Sequence, residues 1–438
     1  MFQTLVNAFK IKDIRKKLLY TFGMLLVIRF GSQLPVPGVN PTYLSEFFQN
    51  TIGEHMGFFN AMTGNSFENL SIFALSITPY ITSSIIMQLL TIAIPKLEEM
   101  QRDGEDGRKK ILEYTRYVTV ALALIESIAM AVGFGGRGLL YDYNAWSVMV
   151  AVVTMTTGSA LLMWIGERIT EKGVGNGISI VLLFNIISSI PSDIRALYTR
   201  FIQGKNVAEG VVIGLIIVAI LFAMVVFVVI LNSAERRIPV QYSKKMQGRR
   251  MIGGQSSHIP LKVNTAGVIP VIFASSLMSM PVVIASFFQI DYSTIGGQIL
   301  LTLSSSSWCR PESPIYSIGL ILYIALIIVF AYFYTSITFN PLEVANNMKK
   351  SGGFIPGIRP GKPTSDYLNK ILNYIVFIGA CGLIIVAVIP IVVSGVFNVS
   401  HISFSGTSLI IIVGVVLETV KAIESQMLVR NYKGFLND

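Results

Sequence analysis

No Asp, Glu, Lys or Arg interrupts the chain between Lys370 and Glu418, and none lies between Glu68 and Lys96. Charge-free runs of this kind recur between polar loops along the 438 residues, and 13% of the side chains are charged against 53% hydrophobic. A soluble domain is nearer about a quarter charged. Roughly 20 consecutive apolar residues cross a hydrocarbon core of ~30 Å as one helix. A membrane β-barrel would show short alternating segments instead. The pattern therefore predicts an all-α polytopic membrane protein.

In chain order the first span is expected near Leu18–Leu34, ending at the turn-forming PVPG, and the second follows Asn69. The third runs near Tyr117–Phe134, the fourth between Asp142 and Glu167, and the fifth between Lys172 and Asp193, opened by GVGNG. The sixth lies between Glu209 and Glu235, the seventh between Lys262 and Asp291, and the eighth between Glu312 and Glu343. The run after Lys370 is too long for one helix, so Pro390 and SGVFNVSHISFSGTS divide it into the ninth and tenth. Ten spans invite a division into two inverted five-helix halves, residues 1–205 and 206–438, around a central pore. Inverted repeats of this kind hold a functional site near the midplane.

Alternate loops counted from the N-terminus hold 28 Lys+Arg, whereas the opposite loops hold 5. The positive-inside rule then puts both termini in the cytoplasm. The N-terminus, MFQTLVNAFKIKDIRKKLLY, lacks the apolar core and cleavage site of a removable signal peptide and reads as a basic amphipathic helix on the membrane surface. Of the two cysteines, Cys309 falls in a polar loop and Cys381 in an apolar helix, so no bridge between them is expected.

The stretch from Gly57 to Pro95 is the centre of this layout. GFFNAMTGNSFENL is too polar to span, and it stands directly ahead of SIFALSITPYITSSIIMQLLTIAI, which carries Pro79 and several Ser/Thr. Polar backbone at membrane depth is tolerated only where protein buries it or water reaches it. A half-polar helical plug ahead of a spanning helix therefore points to a central cavity or pore. Two further loops, residues 235–262 and 340–370, are basic and rich in Gly and Pro. They suit phosphate contacts on RNA or an acidic protein face. Retention charge beside anionic lipid is the plainer alternative.

Catalytic constellations are missing. There is no GxxxxGK[ST] and no HExxH, and His55, His258 and His401 are scattered. GVGNG follows no strand and so is no dinucleotide fingerprint. Glu126 is the one acidic residue well inside a span, a costly placement that marks function by default. A neighbouring polar group or a wet cavity would also explain it. No enzyme activity, cofactor or metal is expected.

LLMWIGERITEKGVGNGIS (Leu161 to Ser179) and SIFALSITPYITSSIIMQLL (Ser71 to Leu90) resemble the two signature stretches of the SecY family, channel subunits of the bacterial Sec protein translocon. QGRRMIGGQSSHIPLKVNTAGVIPVIFASS and KKSGGFIPGIRPGKPT resemble its two large cytoplasmic loops and the start of its seventh helix. The resemblance covers nearly the whole chain in order. It implies a ten-helix clamshell with an hourglass pore in the bacterial cytoplasmic membrane. The pore would pass unfolded secretory polypeptides across and release transmembrane segments sideways into lipid. Its aliphatic waist aligns with Ile77, Ile81, Leu182, Ile186, Ile272 and Ile411. Ile77/Ile81 and Leu182/Ile186 are i,i+4 pairs that share a helical face. Such pairs in a membrane helix ordinarily serve packing or lipid contact. A narrow apolar ring excludes ions by dewetting. Most family ring positions are isoleucine, and Leu182 departs mildly.

The resemblance also implies a plug at residues 58–69, including Phe58, Phe59, Asn60, Asn65 and Phe67, and a lateral gate at Thr82, Gln88 and Met280. Arg249, Arg250 and Arg359 would engage cytoplasmic partners, the ribosome and the SecA motor ATPase. SecE and SecG are the implied partner subunits, and signal sequences and nascent polypeptide the implied cargo. Two other classes fit parts of the chain. A secondary transporter would use the inverted halves and Glu126 but has no use for large basic loops. A scaffold or insertase that never passes polar chains would have a closed centre.

Overall fold

The computed structural model describes residues 6, 8–40, 62–203, 207–242, 245–247, 250–252, 256–287, 294–311, 313–397 and 406–434. The chain is mainly helical. The helices are α1 (Lys12–Gly31), α2 (Thr78–Ala93), α3 (Pro95–Arg102), α4 (Glu105–Phe134), α5 (Ala145–Lys172), α6 (Gly177–Phe201) and α7 (Val207–Ser233). They continue with α8 (Ile269–Phe287), α9 (Ile295–Leu303), α10 (Ile318–Thr338), α11 (Pro341–Lys350), α12 (Lys362–Phe397) and α13 (Gly406–Gly434). Among the described residues six helices, α4, α5, α6, α7, α10 and α12, are long and apolar enough to cross a membrane. The pair α2–α3, bent by 106°, makes a seventh if it is one span. The bend sits at extended Ile94 ahead of Pro95, where proline disfavours helix in the preceding residue.

Helices α2, α4, α5 and α6 pack in sequence, with α1 against α5, while α8, α10, α12, α13 and α7 form a second group. The three largest apolar cores follow. One gathers residues between Val36 and Met155, including Phe67, Leu75, Phe134 and Met155. A second gathers residues between Met224 and Leu417, including Val228, Trp308, Tyr323 and Leu383. The third joins the two groups: Ile28, Met62, Ile77, Leu182 and Ile186 meet Ile411 and Val415 of α13.

Three expectations are corrected. First, the second span does not begin at Ser71. Residues 72–77 are turns, Ser76 holds φ 53°, and the helix starts at Thr78 with Pro79 in its first turn. Proline has no N–H to give, and the helix start is where none is needed. Second, the chain is not purely α. The loop over 235–262 pairs β1 (Glu235–Tyr242) antiparallel with β4 (Ser256–Lys262), and β2 (Lys245–Gln247) pairs with β3 (Arg250–Ile252) beyond them. β5 (Gly353–Phe354) adds to β1, so the two long basic loops share one sheet. ERRIPVQY turns alternate residues inward, burying Ile238 and Val240 against Met348, Ile355 and Leu368. Period-two burial of this kind holds a strand, not a structureless loop. Third, the described part of the basic N-terminal segment docks on protein as well as facing outward. Ala8 and Ile14 pack with Val174 and Ile423, and Lys17 Nζ donates to Gln426 Oε1 at 3.2 Å. Both cysteines are free, as expected.

Candidate functional site

All six aliphatic residues aligned with a pore waist fall in the third core. Ile77, Leu182, Ile186 and Ile411 are buried, and Ile81 and Ile272 are partly buried against them. They come from the turn before α2, from α2 itself, and from α6, α8 and α13. Residues remote in sequence thus converge on one apolar knot. Asn176 fixes where α6 begins, because its side chain accepts from the amides of Ile178 and Ser179. That is an N-cap, and it explains the GVGNG turn. Gly177 is needed there too, since a Cβ would stand 2.0 Å from the Gly166 carbonyl oxygen of α5.

Met62, in the stretch expected to form a plug, belongs to the same core, while Phe67 is buried in the first. Phe58, Phe59 and Asn60 lie outside the described residues. Met62 and Thr63 are helical, but Gly64–Leu70 runs in turns, so this stretch is not the helix expected of a plug. Gly64 and Asn65 both hold positive φ, 63° and 64°, and that left-handed pair stops the helix. Gly64 also sits tight on α6: a Cβ would lie 2.7 Å from Ser188 Oγ and 3.0 Å from the Asn185 carbonyl oxygen.

The segment is tied down by hydrogen bonds that sequence reading did not anticipate. Asn185 Nδ2 donates to the Met62 carbonyl at 3.2 Å and to Ser76 Oγ at 2.9 Å. Arg29 of α1 donates to the Gly64 carbonyl at 3.4 Å. Asn185 is the one amide side chain in α6, and that lone polar group amid LLFNII was the signal available.

The proposed gate residues are less concentrated. Thr82 is half-buried on α2, whereas Gln88 on α2 and Met280 on α8 are exposed. Polar contact between α2 and α4 falls to the neighbour of Thr82: Ser83 Oγ and Thr119 Oγ1 lie 2.5 Å apart, both fully buried. On the other side Phe273 of α8 meets Phe330 of α10 edge to face, with centroids 5.6 Å apart. Glu126 is half-buried on α4. Arg249 lies outside the described residues, and Arg250 pairs with Gln247 in the β2–β3 ribbon. Arg359 is exposed between Gly357 and Gly361, and its carbonyl accepts from Thr364 Oγ1 at 2.8 Å. Among the described residues no cluster of His, Cys, Asp or Glu could hold a metal ion.

Known proteins share this fold. A solved structure described as that of a protein conducting channel superposes with a TM-score of 0.64 at 18% identity, over 95% of this chain and 93% of that one. Another, whose description concerns the plug domain of the SecY protein and the closed state of its channel, gives 0.62 at 17% identity over the same shares. In sequence, the chain is 42% identical over 442 residues to the protein translocase subunit SecY of Halalkalibacterium halodurans, covering 100% of both. It is 44% identical over 450 residues to that of Streptomyces coelicolor, again covering 100% of both. A family model described as SecY matches residues 71–420, and the chain belongs to the SecY family.

Proposed function

We propose that this membrane protein is a protein-conducting channel of ten spans in two inverted halves, residues 1–205 and 206–438, with both termini in the cytoplasm. It moves unfolded polypeptides across the bacterial cytoplasmic membrane and lets apolar segments leave sideways between α2/α4 and α8/α10. One observation carries the reading: the six aligned aliphatic residues, drawn from elements far apart in sequence, share one apolar core with Met62. An apolar waist stops ions by dewetting and offers a passing chain nothing to bind.

Residues 58–69 plug the outer side of that waist. A pore of this kind is passive, so the push comes from outside, from a SecA-type motor or from a ribosome. Structures with the same fold include ribosome-bound channels. The sheet built from both basic loops, with Arg250 on its outer ribbon and Arg359 exposed nearby in sequence to β5, is the docking surface for either. SecE braces the halves and SecG lies beside the first.

Conductance of the reconstituted complex in planar bilayers, with and without residues 58–69, tests the reading. A tight parent and a deletion that flickers to a wide, weakly selective pore support it. If the deletion stays closed, the stretch is structural packing and a transporter or scaffold role must be reconsidered.

A further inference from the structure

The waist is apolar, yet a buried polar chain runs against it. Asn185 stands on α6 between two waist residues, three after Leu182 and one before Ile186. It is only 7% exposed, and its amide nitrogen serves two acceptors on different parts of the chain, the Met62 carbonyl and Ser76 Oγ. Ser76 is itself 1% exposed and held at φ 53°, a conformation serine seldom adopts. Its carbonyl accepts from Ser159 Oγ of α5 at 3.1 Å. The strained turn is thus fixed to α5 through its carbonyl and to α6 through its hydroxyl. Buried polar groups that satisfy one another specify a single arrangement, and losing one partner leaves the rest unpaired.

We infer that Asn185 is the positioning residue that latches the plug segment shut, and that Ser76 aims its amide. This rests on the plug-and-waist reading above. Ser188 Oγ, the next hydroxyl along α6, turns back to the Asn185 carbonyl at 2.7 Å. Release of the segment therefore requires the Asn185–Met62 bond to break. The amide then faces the pore, where water or a passing backbone carbonyl replaces Met62.

The test is Asn185→Leu, which keeps the branched shape of the side chain and removes the donors, in the reconstituted complex. Openings of the empty channel should become roughly tenfold more frequent, the weight of one or two lost buried hydrogen bonds. A deletion of residues 58–69 runs in parallel. If the deletion leaks and Asn185→Leu is as quiet as the parent, the latch is wrong and the plug stands. If the deletion is quiet too, the plug reading itself has failed and takes the latch with it. A second readout follows the thiol introduced by Met62→Cys in a Cys309→Ser, Cys381→Ala background, using a membrane-impermeant maleimide from the outer side. Labelling should quicken severalfold with Asn185→Leu and, if that variant does not assemble, with Ser76→Ala. A side chain that only packs would lower thermal stability without changing the labelling rate, and that result overturns the proposal.

Discussion

Gly64→Ala puts one methyl group into a tight contact between the proposed plug segment and α6. Two costs follow. Alanine at φ 63° adopts the left-handed region, about 1–2 kcal/mol unfavourable for a residue with a Cβ. The methyl would also stand 3.0 Å from the Asn185 carbonyl oxygen and 3.1 Å from its Cα. Those are backbone atoms of a helix and do not move aside, so the segment must. A shift of a few tenths of an ångström stretches the Asn185–Met62 bond at 3.2 Å and the already long Arg29–Gly64 bond at 3.4 Å. Each is worth about 0.5–1.5 kcal/mol. Together the terms weaken docking by about 2–5 kcal/mol, or roughly 30- to 4,000-fold in the undocked population at tenfold per ~1.4 kcal/mol. Single-channel recording without substrate reads that population as open time. Gly38→Ala is the control, because Gly38 also holds positive φ, 78°, but a Cβ there meets nothing within 4 Å. It should destabilise the fold slightly and leave the channel tight. If Gly64→Ala assembles normally and is as tight as Gly38→Ala, the segment is not a gate and its fit to α6 is incidental.

Ile186→Ser should let the waist wet without moving the plug. Ile186 is 2% exposed in the shared core, and a hydroxyl there draws in water, so ion leak through plug-deleted channels should rise while the intact channel changes little. Trp308→Phe should lower the thermal midpoint by a few degrees, since it removes the 2.7 Å bond from Nε1 to the Thr302 carbonyl and keeps the ring against Tyr323. An unchanged midpoint would mean that water replaces the bond at no cost.

The long apolar helices were legible because lipid leaves the chain few choices. A backbone without water must pair internally, so a charge-free run of sufficient length is a helix almost wherever it falls. The same rule says nothing about where irregular backbone is sheltered by protein. Ser71–Ile77 is as apolar as the helix after it, but Pro79 and left-handed Ser76 make it a turn packed under α5, where Gly158 lets the Ile72 carbonyl approach. The β-ribbon over 235–262 was hidden by its charges, since only Ile238 and Val240 in ERRIPVQY report the buried face. The residues proposed for the waist came through resemblance alone, because an aliphatic i,i+4 pair looks the same wherever it packs. The hydrogen bonds behind them were missed because Asn185, Ser76 and Ser159 lie on three separate elements that only tertiary structure brings together.

In the proposed channel, the contrast between an apolar waist and a polar latch follows from what each must do. A waist that touches every passing chain cannot offer directional bonds, or it would hold some sequences longer than others. A plug has one correct seat, and directional bonds to backbone carbonyls give that seat a sharp edge: a small displacement forfeits them, whereas dispersion fades gradually. Placing Asn185 within one helical turn of Leu182 and beside Ile186 couples the two devices. A displacement of α6 that widens the waist must carry the amide away from Met62. A chain wedging into the waist therefore loosens the plug before touching it, and labelling at the Met62→Cys thiol should rise when an arrested substrate occupies the waist. Labelling that rises only after the substrate passes the plug would place plug release downstream of direct collision and break the coupling.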